Sequence, residues 1–223
     1  MDRLASVWKK IAWLLPIAAL AAVAGGCSAL PFIAYLVKGI STPAEYAGLK
    51  GKKVAVICRP VASLQYQSSS VASELAERVG NLLSQHVPKI QVIDQAEIDK
   101  WEDENNWEDY VDIGKALQAE MVVGIDLDQF SLLQGQTLYQ GRASIDLAVY
   151  DIARGKRPVF QKMMPQQLYP PNAPIPAAER SLVDFRAQFL QILADAIGRH
   201  FYDHDSTAEF AIDNTAYQSA EKH

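Results

Sequence analysis

The stretch 120-EMVVGIDLDQFSL-132 decides the fold, because its hydrophobic pattern changes halfway along. Met121 to Ile125 are apolar or small at every position, which is typical of a strand buried on both faces. From Asp126 onward apolar and polar residues alternate, which indicates that one face of the strand meets water. Helix-covered parallel strands produce the first pattern, and antiparallel hairpins produce the second. We therefore expect a mixed sheet.

Upstream of this strand, short strands alternate with helices. Pro60 and Pro88 mark the ends of regular elements, and Asp94 is a suitable N-cap for a helix. The serines 68–70 close a polar loop and are expected to cap the helix that follows. The expected elements are a strand in 52-KKVAVICRPV-61, a helix from Val71 to His86, a strand in 89-KIQVID-94, a short helix after Asp94 and a helix in 107-WEDYVDIGKALQA-119.

Downstream, 139-YQGRASIDLAVYDI-152 alternates as the second arm of a hairpin, and residues 159–164 are expected to pair back. The proline-rich residues 165–179 exclude a helix or a central strand. Apolar residues recur at helical spacing from Leu182 to Phe201. These patterns predict a single α/β domain over residues 50–203. Its mixed sheet has parallel early strands and an antiparallel C-terminal hairpin, is packed by helices, and is followed by a long C-terminal helix. The polar residues 204–223 are expected to form a flexible tail.

The amino terminus has the pattern of a secretory signal peptide over residues 1–26. Three basic residues precede an apolar run from Ile11 to Ala24, and small residues then lead to Cys27. The stretch 22-AVAGGCSAL-30 resembles a bacterial lipobox, although Ala24 stands where leucine is usual. The resemblance implies that Cys27 receives a diacylglyceryl group and the acyl chains, palmitate among them, that would anchor the protein. Residues 27–49 would then be a lipidated, membrane-proximal segment and linker.

A plain membrane anchor is the alternative, because no charged residue occurs between Lys10 and Lys38. Pro16, Gly25, Gly26 and Pro31 would interrupt a regular helix there. Lysines at the start of the run place the C-terminal part outside the cytoplasm in both interpretations. The apolar segment 29–37 could rest on the membrane surface or pack on the domain, and the sequence does not separate the two.

The charge of the chain argues against a nucleic-acid partner. The whole chain has a formal charge of −5, and cleavage before Cys27 would remove Asp2 with three basic residues and give −7. Phosphate binding depends on clustered Lys and Arg, so polyanion binding is not expected. With Cys27 acylated, Cys58 has no disulfide partner, and its apolar surroundings favour a small buried residue over a reactive thiol.

Taken together, 113-IGKALQAEMVVGIDL-127 and the hairpin stretch 149-VYDIARGK-156 resemble the periplasmic α/β domain shared by CsgG, LpoB and the TolB amino-terminal domain. The resemblance covers about residues 50–165, and it departs from the family pattern at Gln118 and Glu120, where Gly and Asp are expected. It implies a lipid-tethered envelope module without catalysis or cofactor that binds another protein, in the periplasm on the cell membrane or outer membrane. No segment suited to a CsgG-type pore is present.

Three aromatic residues, Trp101, Trp107 and Tyr110, alternate with acidic residues in 101-WEDENNWEDY-110. Trp and Tyr are favoured at protein interfaces, so these residues are candidates for contacting a partner. Alternatively, their rings close the core where two helices pack.

The stretch 200-HFYDHD-205 is the one part of the sequence with a metal-like composition, because His200 and His204 would share a helix face. It lacks a known metalloenzyme order, and no nucleophile elbow or phosphate loop occurs. We therefore expect no enzyme and no metal. The sequence predicts an envelope lipoprotein that binds or activates a partner in cell-envelope assembly. A small-ligand or metal-binding envelope protein is the rival, and an oligomer, the partner and the membrane are left open.

Overall fold

The computed structural model describes residues 41–60 and 65–205, with side chains from Ser70 onward in the second range. Cys27, the predicted signal peptide, segment 29–37 and the tail beyond Asp205 lie outside the described residues. The compact unit begins at Pro43, ahead of the predicted domain boundary at residue 50. Leu49 is fully buried in its core, so part of the predicted linker belongs to the domain.

The described residues contain nine strands and four α-helices. The strands are β1 (Ser41–Thr42), β2 (Lys53–Pro60), β3 (Gln91–Val92), β4 (Met121–Gln134), β5 (Leu138–Asp151), β6 (Phe160–Met163), β7 (Gln167–Tyr169), β8 (Ile175–Pro176) and β9 (His204–Asp205). The helices are α1 (Gln65–His86), α2 (Gln95–Glu104), α3 (Tyr110–Ala116) and α4 (Leu182–Gly198). None of these helices is long and apolar enough to cross a bilayer.

The main sheet has the strand order β3-β2-β4-β5-β6, and β1 pairs separately with β9. β2 is parallel to both β3 and β4, whereas β4 and β5 form a long antiparallel hairpin. The outer side of β5 pairs in succession with β8, β7 and β6, so three short strands replace one long edge strand. The predicted α/β class, mixed sheet and long C-terminal helix are confirmed.

Helices cover both faces of the parallel part of the sheet. Val54, Val56 and Cys58 point toward α1 and α4, where Phe185 and Phe189 form the centre of the larger core. The alternate residues of β2, Ala55 and Ile57, meet α2 and α3 in a smaller core. Burial on both faces explains why the β2 sequence is apolar without alternation.

The helix termini depend on short polar side chains. Asp94 accepts a hydrogen bond from the Ala96 amide at the start of α2, as predicted. Asp109 caps α3 by accepting from two backbone amides, and Ser181 caps α4 by accepting from the Asp184 amide. The helix predicted from residue 107 therefore begins at Tyr110. The C-terminal helix ends at Gly198 instead of Phe201, because the last residues turn more tightly.

One local prediction was wrong, and one stretch predicted to contain no helix or central strand contains short edge strands. Helix α1 begins at Gln65, so the serines 68–70 lie inside it and the predicted polar loop is helical. The stretch 65–70 has no apolar periodicity from which a helix could be recognised. The proline-rich stretch also contains β7 and β8, which are too short to leave a pattern in the sequence.

The junction between α3 and β4 contains a strained residue. Gln118 follows the last turn of α3 with a φ of 53°, in the left-handed region that favours glycine. This is the position where the resembled family has glycine. Glu120 is the second residue that differs from the resembled family pattern. Its carboxylate binds the Lys52 ammonium at 2.8 Å and accepts from the Lys53 amide at 3.0 Å. The left-handed turn brings α3 back onto the sheet, and Glu120 joins the starts of β2 and β4.

Replacing Gln118 with glycine removes this strain. We expect Gln118→Gly to raise the free energy of unfolding by roughly 0.5–1 kcal/mol, because a Cβ in the left-handed region costs more than the added flexibility of glycine in the unfolded chain. Urea denaturation of the purified protein measures the effect. Gln118→Ala keeps the Cβ and should give no gain. A glycine variant less stable than the parent protein would contradict this account.

A candidate partner-contact site

The candidate site lies where the parallel strands end. β2 lies between β3 and β4 in the sheet. The connection from β2 to β3 therefore runs to one side of β2, and the connection from β3 to β4 crosses to the other side. In open α/β sheets the crevice at such a reversal, beyond the carboxyl ends of the strands, is the usual place for binding. Arg59 on β2 and Asp126 on β4 are register partners at this position. The sheet itself therefore brings two charged residues together.

Arg59 is held on several sides. Its Nη2 lies 2.8 Å and its Nε 2.9 Å from Asp126 Oδ1, and its Nη1 donates to the Glu108 carbonyl at 3.2 Å. The guanidinium carbon lies 5.0 Å from the Tyr110 ring centroid and 5.8 Å from that of Trp107. Cation–π contact and the ion pair together fix the side chain in one geometry. Because 43% of the Arg59 side chain is exposed, this geometry is presented to solvent.

Tyr110 supports the cluster from inside the core. Its hydroxyl donates to Asp126 Oδ1 at 2.8 Å, and its ring stacks on Tyr150 with centroids 5.5 Å apart. A Cβ on Gly124 would come within 2.8 Å of this ring, so β4 needs glycine there. Burial, and next the charge of Asp126, raise the pKa of Tyr110 well above its ordinary value. The hydroxyl therefore stays protonated and keeps donating.

The three predicted contact residues differ in the solvent exposure of their side chains. Tyr110 is buried, with 3% exposure, whereas Trp101 and Trp107 are half-buried against the α2–α3 core. Trp107 and Tyr110 lie together, with ring centroids 5.5 Å apart. Tyr110 thus has the core role that was the alternative interpretation. Contact with a partner through Trp107 and Trp101 stays a prediction.

Arg59, Asp126 and Tyr150 were not predicted as site residues. The sequence did contain a signal, since Arg59 ends one apolar strand and Asp126 interrupts another. Their pairing depends on β2 and β4 being parallel neighbours in one particular register. The result is a platform made of Arg59 and Trp107, next to the exposed residue Glu108, whose carbonyl accepts from Arg59. Arg, Trp and Tyr are the residue types that dominate binding energy at protein interfaces.

Each of the two histidines that suggested a metal contacts another group of the protein. His200 Nδ1 lies 3.2 Å from Glu45, and Glu45 also binds Lys162 at 2.5 Å. His204 Nδ1 lies 3.3 Å from the Tyr202 carbonyl oxygen. Within residues 41–60 and 65–205, no three His, Cys, Asp or Glu side chains converge as metal ligands would. His200 and Glu45 instead join the start of the compact unit to the end of α4.

No protein-family model matches the sequence, and no curated protein is significantly similar to it. Several solved structures align with it. The PelC dodecamer from Paraburkholderia phytofirmans is 10% identical, covers 73% of this chain and 95% of its own, and has a TM-score of 0.44. Lipoprotein GNA1162 from Neisseria meningitidis is 8% identical, with coverages of 65% and 96% and a TM-score of 0.40.

A minor lipoprotein from Acinetobacter baumannii is 12% identical, with coverages of 67% and 91% and a TM-score of 0.33. At these identities and TM-scores the likeness carries no conclusion about function. The functional inferences below depend on the residues of this chain. The resemblance to CsgG, LpoB and TolB stays a prediction.

Glu102 on α2 gives the stability of the domain a testable pH dependence. Burial, and then the charges of Asp99 and Asp103, raise the pKa of Glu102 from 4.5 to about 7. A carboxyl group with a raised folded-state pKa costs stability as pH rises from its unfolded pKa through the folded one. We expect Glu102→Gln to match the parent protein near pH 4 and to be more stable near pH 8, by about 1 kcal/mol because water screens the half-exposed group.

Thermal melting at several pH values measures this difference. Asp103→Gln, at the exposed neighbour on α2, is the matched control and should show a smaller change. A difference between the Glu102 variant and the parent protein that is constant with pH would contradict the assignment.

Proposed function

We propose that this chain is a membrane-tethered bacterial envelope lipoprotein without catalytic activity, whose domain binds or activates a protein partner in cell-envelope assembly. The observation that carries the proposal is Cys27, which follows an apolar run and three small residues in a sequence that resembles a lipobox. The resemblance to CsgG, LpoB and TolB supports the same class of protein. In this proposal the domain faces the periplasm.

The tether leaves the domain room to reach a partner. Sixteen residue steps separate Cys27 from Pro43, and an extended chain of that length spans at most about 55 Å. The start of the compact unit is well attached, because the Ala44 amide donates to Asp203 at 3.0 Å and the Tyr46 amide donates to the His200 carbonyl at 2.9 Å. These two bonds join the start of the compact unit to the residues that follow α4.

The platform of Arg59 and Trp107 is the proposed contact surface. Each nitrogen of the Arg59 guanidinium has a partner within the protein, and these contacts use three of its five N–H groups, so the group is a cationic plane held in one orientation. A rigid surface loses little conformational entropy on binding. Tyr110, locked under the platform, offers no hydroxyl to solvent. These features support recognition of a protein surface over proton transfer.

Lipidation is tested first by intact mass and labelled palmitate. In a bacterial host we expect loss of residues 1–26 and a gain of acyl mass, both abolished by Cys27→Ala. Cys58→Ala is the matched control and should label normally, because Cys58 is a buried core residue. An unprocessed, lipid-free chain that still fractionates with membranes would replace lipidation with an apolar anchor over residues 11–37.

Partner contact is tested by a photo-crosslinking amino acid at Glu108, whose carbonyl holds Arg59. We expect a discrete crosslinked band in intact envelopes, weakened at least about five-fold by Trp107→Ala if Trp107 is an interface anchor. The same amino acid at the exposed Gln85 on α1 should give no such band. Equal crosslinking at both positions, or a band indifferent to Trp107→Ala, would contradict the proposed surface.

A further inference from the structure

Basic residues collect at the end of the sheet where the parallel strands begin. β2 starts there at Lys53, six residues before Arg59 on the same strand. With a rise of about 3.3 Å per residue, the start of β2 lies about 20 Å from the platform of Arg59 and Trp107. We call this region the basic end, and its basic residues are Lys50, Lys52, Lys53, Lys89, Lys115 and Arg154.

Two of these lysines meet where the chain enters β2 and leaves α1. The Gly51 amide donates to the Pro88 carbonyl at 3.3 Å, which brings Lys50 beside Lys89. Both lysine side chains are exposed. The two residues are distant in sequence, so their proximity follows from the fold.

The last turn of α3 and the end of β5 complete the basic end. The Lys53 ammonium donates to the Leu117 carbonyl at 3.0 Å, so Lys115, two residues earlier on α3, lies in the same region. Asp151, the last residue of β5, is in register with the first residue of β4 and pairs with Arg154 at 3.1 Å. Segments from four parts of the chain therefore place basic side chains at one end of the domain.

This end has an excess of positive charge. Glu120 and Asp151, the carboxylates at the start of β4 and the end of β5, are already paired with basic residues. Lys50, Lys89 and Lys115 are exposed, and none of the three forms a salt bridge with a residue that the structure describes. The acidic balance of the whole chain gave no expectation of polyanion binding. However, the platform lies about 20 Å away, and charges are screened over about 8 Å at physiological ionic strength.

The chain enters the compact unit close to the basic end. Tyr46 precedes Lys50 by four residues. Burial, and next the charge of Asp151, raise the pKa of Tyr46, whereas the charge of Arg154 lowers it, so the ring lies near both groups at the end of β5. A tether that begins at Cys27 therefore joins the domain near its basic residues.

We propose that the basic end lies against the anionic lipid headgroups of the membrane that holds the tether, so that the platform of Arg59 and Trp107 faces away from that membrane. Clusters of about four to eight basic residues beside a membrane attachment bind anionic lipids in this way. The inference rests on the membrane tether of the proposed function and adds the orientation of the tethered domain. In this orientation the platform is open to a partner protein.

Fluorescence quenching in vesicles tests the orientation. The protein purified from membranes carries a fluorescent amino acid at Gln91, the exposed register partner of Lys53. It is reconstituted into phosphatidylcholine vesicles that contain a headgroup-attached quencher, with or without phosphatidylglycerol. We expect phosphatidylglycerol to increase the quenching, and salt at about 1 M, where the Debye length is about 3 Å, to reverse the increase. The same amino acid at Glu108, on the platform, should show no increase.

Charge removal identifies the residues responsible. Lys50→Gln combined with Lys89→Gln should lower the phosphatidylglycerol-dependent docking constant at least about ten-fold, because each lysine near an anionic bilayer contributes about a five-fold factor. Lys100→Gln combined with Arg142→Gln is the matched control. It removes the same charge from exposed positions on α2 and β5 and should change the constant less than about two-fold. Far-ultraviolet circular dichroism should show that both double variants are folded.

Quenching at Gln91 that is indifferent to phosphatidylglycerol would overturn the inference, as would an equal loss of docking in the two double variants. Reversal by inorganic phosphate at an ionic strength where sodium chloride has no effect would also overturn it, because a free-anion site would then explain the lysines. Vesicle flotation separates these results from failure of the proposed function. Protein that does not float with neutral vesicles is not tethered, whereas protein that floats without lipid-dependent quenching is tethered but not oriented.

Discussion

Strand β4 has two different neighbours, and the rest of the domain follows from that constraint. Its first seven residues lie between parallel β2 and antiparallel β5, and its last seven have β5 alone among the described strands. The parallel part must be covered on both faces, which places α1 and α4 on one side and α2 and α3 on the other. In the last seven residues of β4 the exposure of the side chains varies along the strand, because helices do not cover both faces there.

The Arg59–Asp126 pair lies at the boundary between these two parts. Half-buried charges lose hydration, and their attraction compensates only when hydrogen bonds satisfy the remaining donors and acceptors. Here the Tyr110 hydroxyl and the Glu108 carbonyl complete that set, and two aromatic rings cover the guanidinium. The arrangement is suited to specifying one rigid surface, because the ion pair, the carbonyl contact and the two rings hold the guanidinium in a single geometry.

The turn at Gln118 shows that this fold accepts a non-glycine residue in a left-handed conformation. A left-handed residue is needed there to turn α3 onto β4, whatever side chain it carries. Glu120, two residues later, links Lys52 and the Lys53 amide and so joins the start of β4 to the start of β2.

Periodicity predicted the elements whose burial is regular along the chain. The apolar run of β2, the change of pattern at Asp126 and the helical spacing after Leu182 each follow from which face is buried, so the α/β class was predictable. The first turns of α1 and the short strands β7 and β8 were not, because polar or very short segments leave no such pattern. At the site, the aromatic residues could be recognised in the sequence, but the pairing of Arg59 with Asp126 could not.

The sequence by itself determined the chemistry of the amino terminus, the acidic balance of the domain and the alternation that separates parallel from antiparallel strands. These properties depend on composition and on residues close together in the chain. The tertiary structure decided that Arg59 meets Asp126, that Tyr110 lies inside the core while Trp107 stays half-exposed, and that the β4 edge continues past Pro60. Each of these depends on register between strands that are distant in sequence, and register is set by the packing of the whole sheet rather than by any one segment.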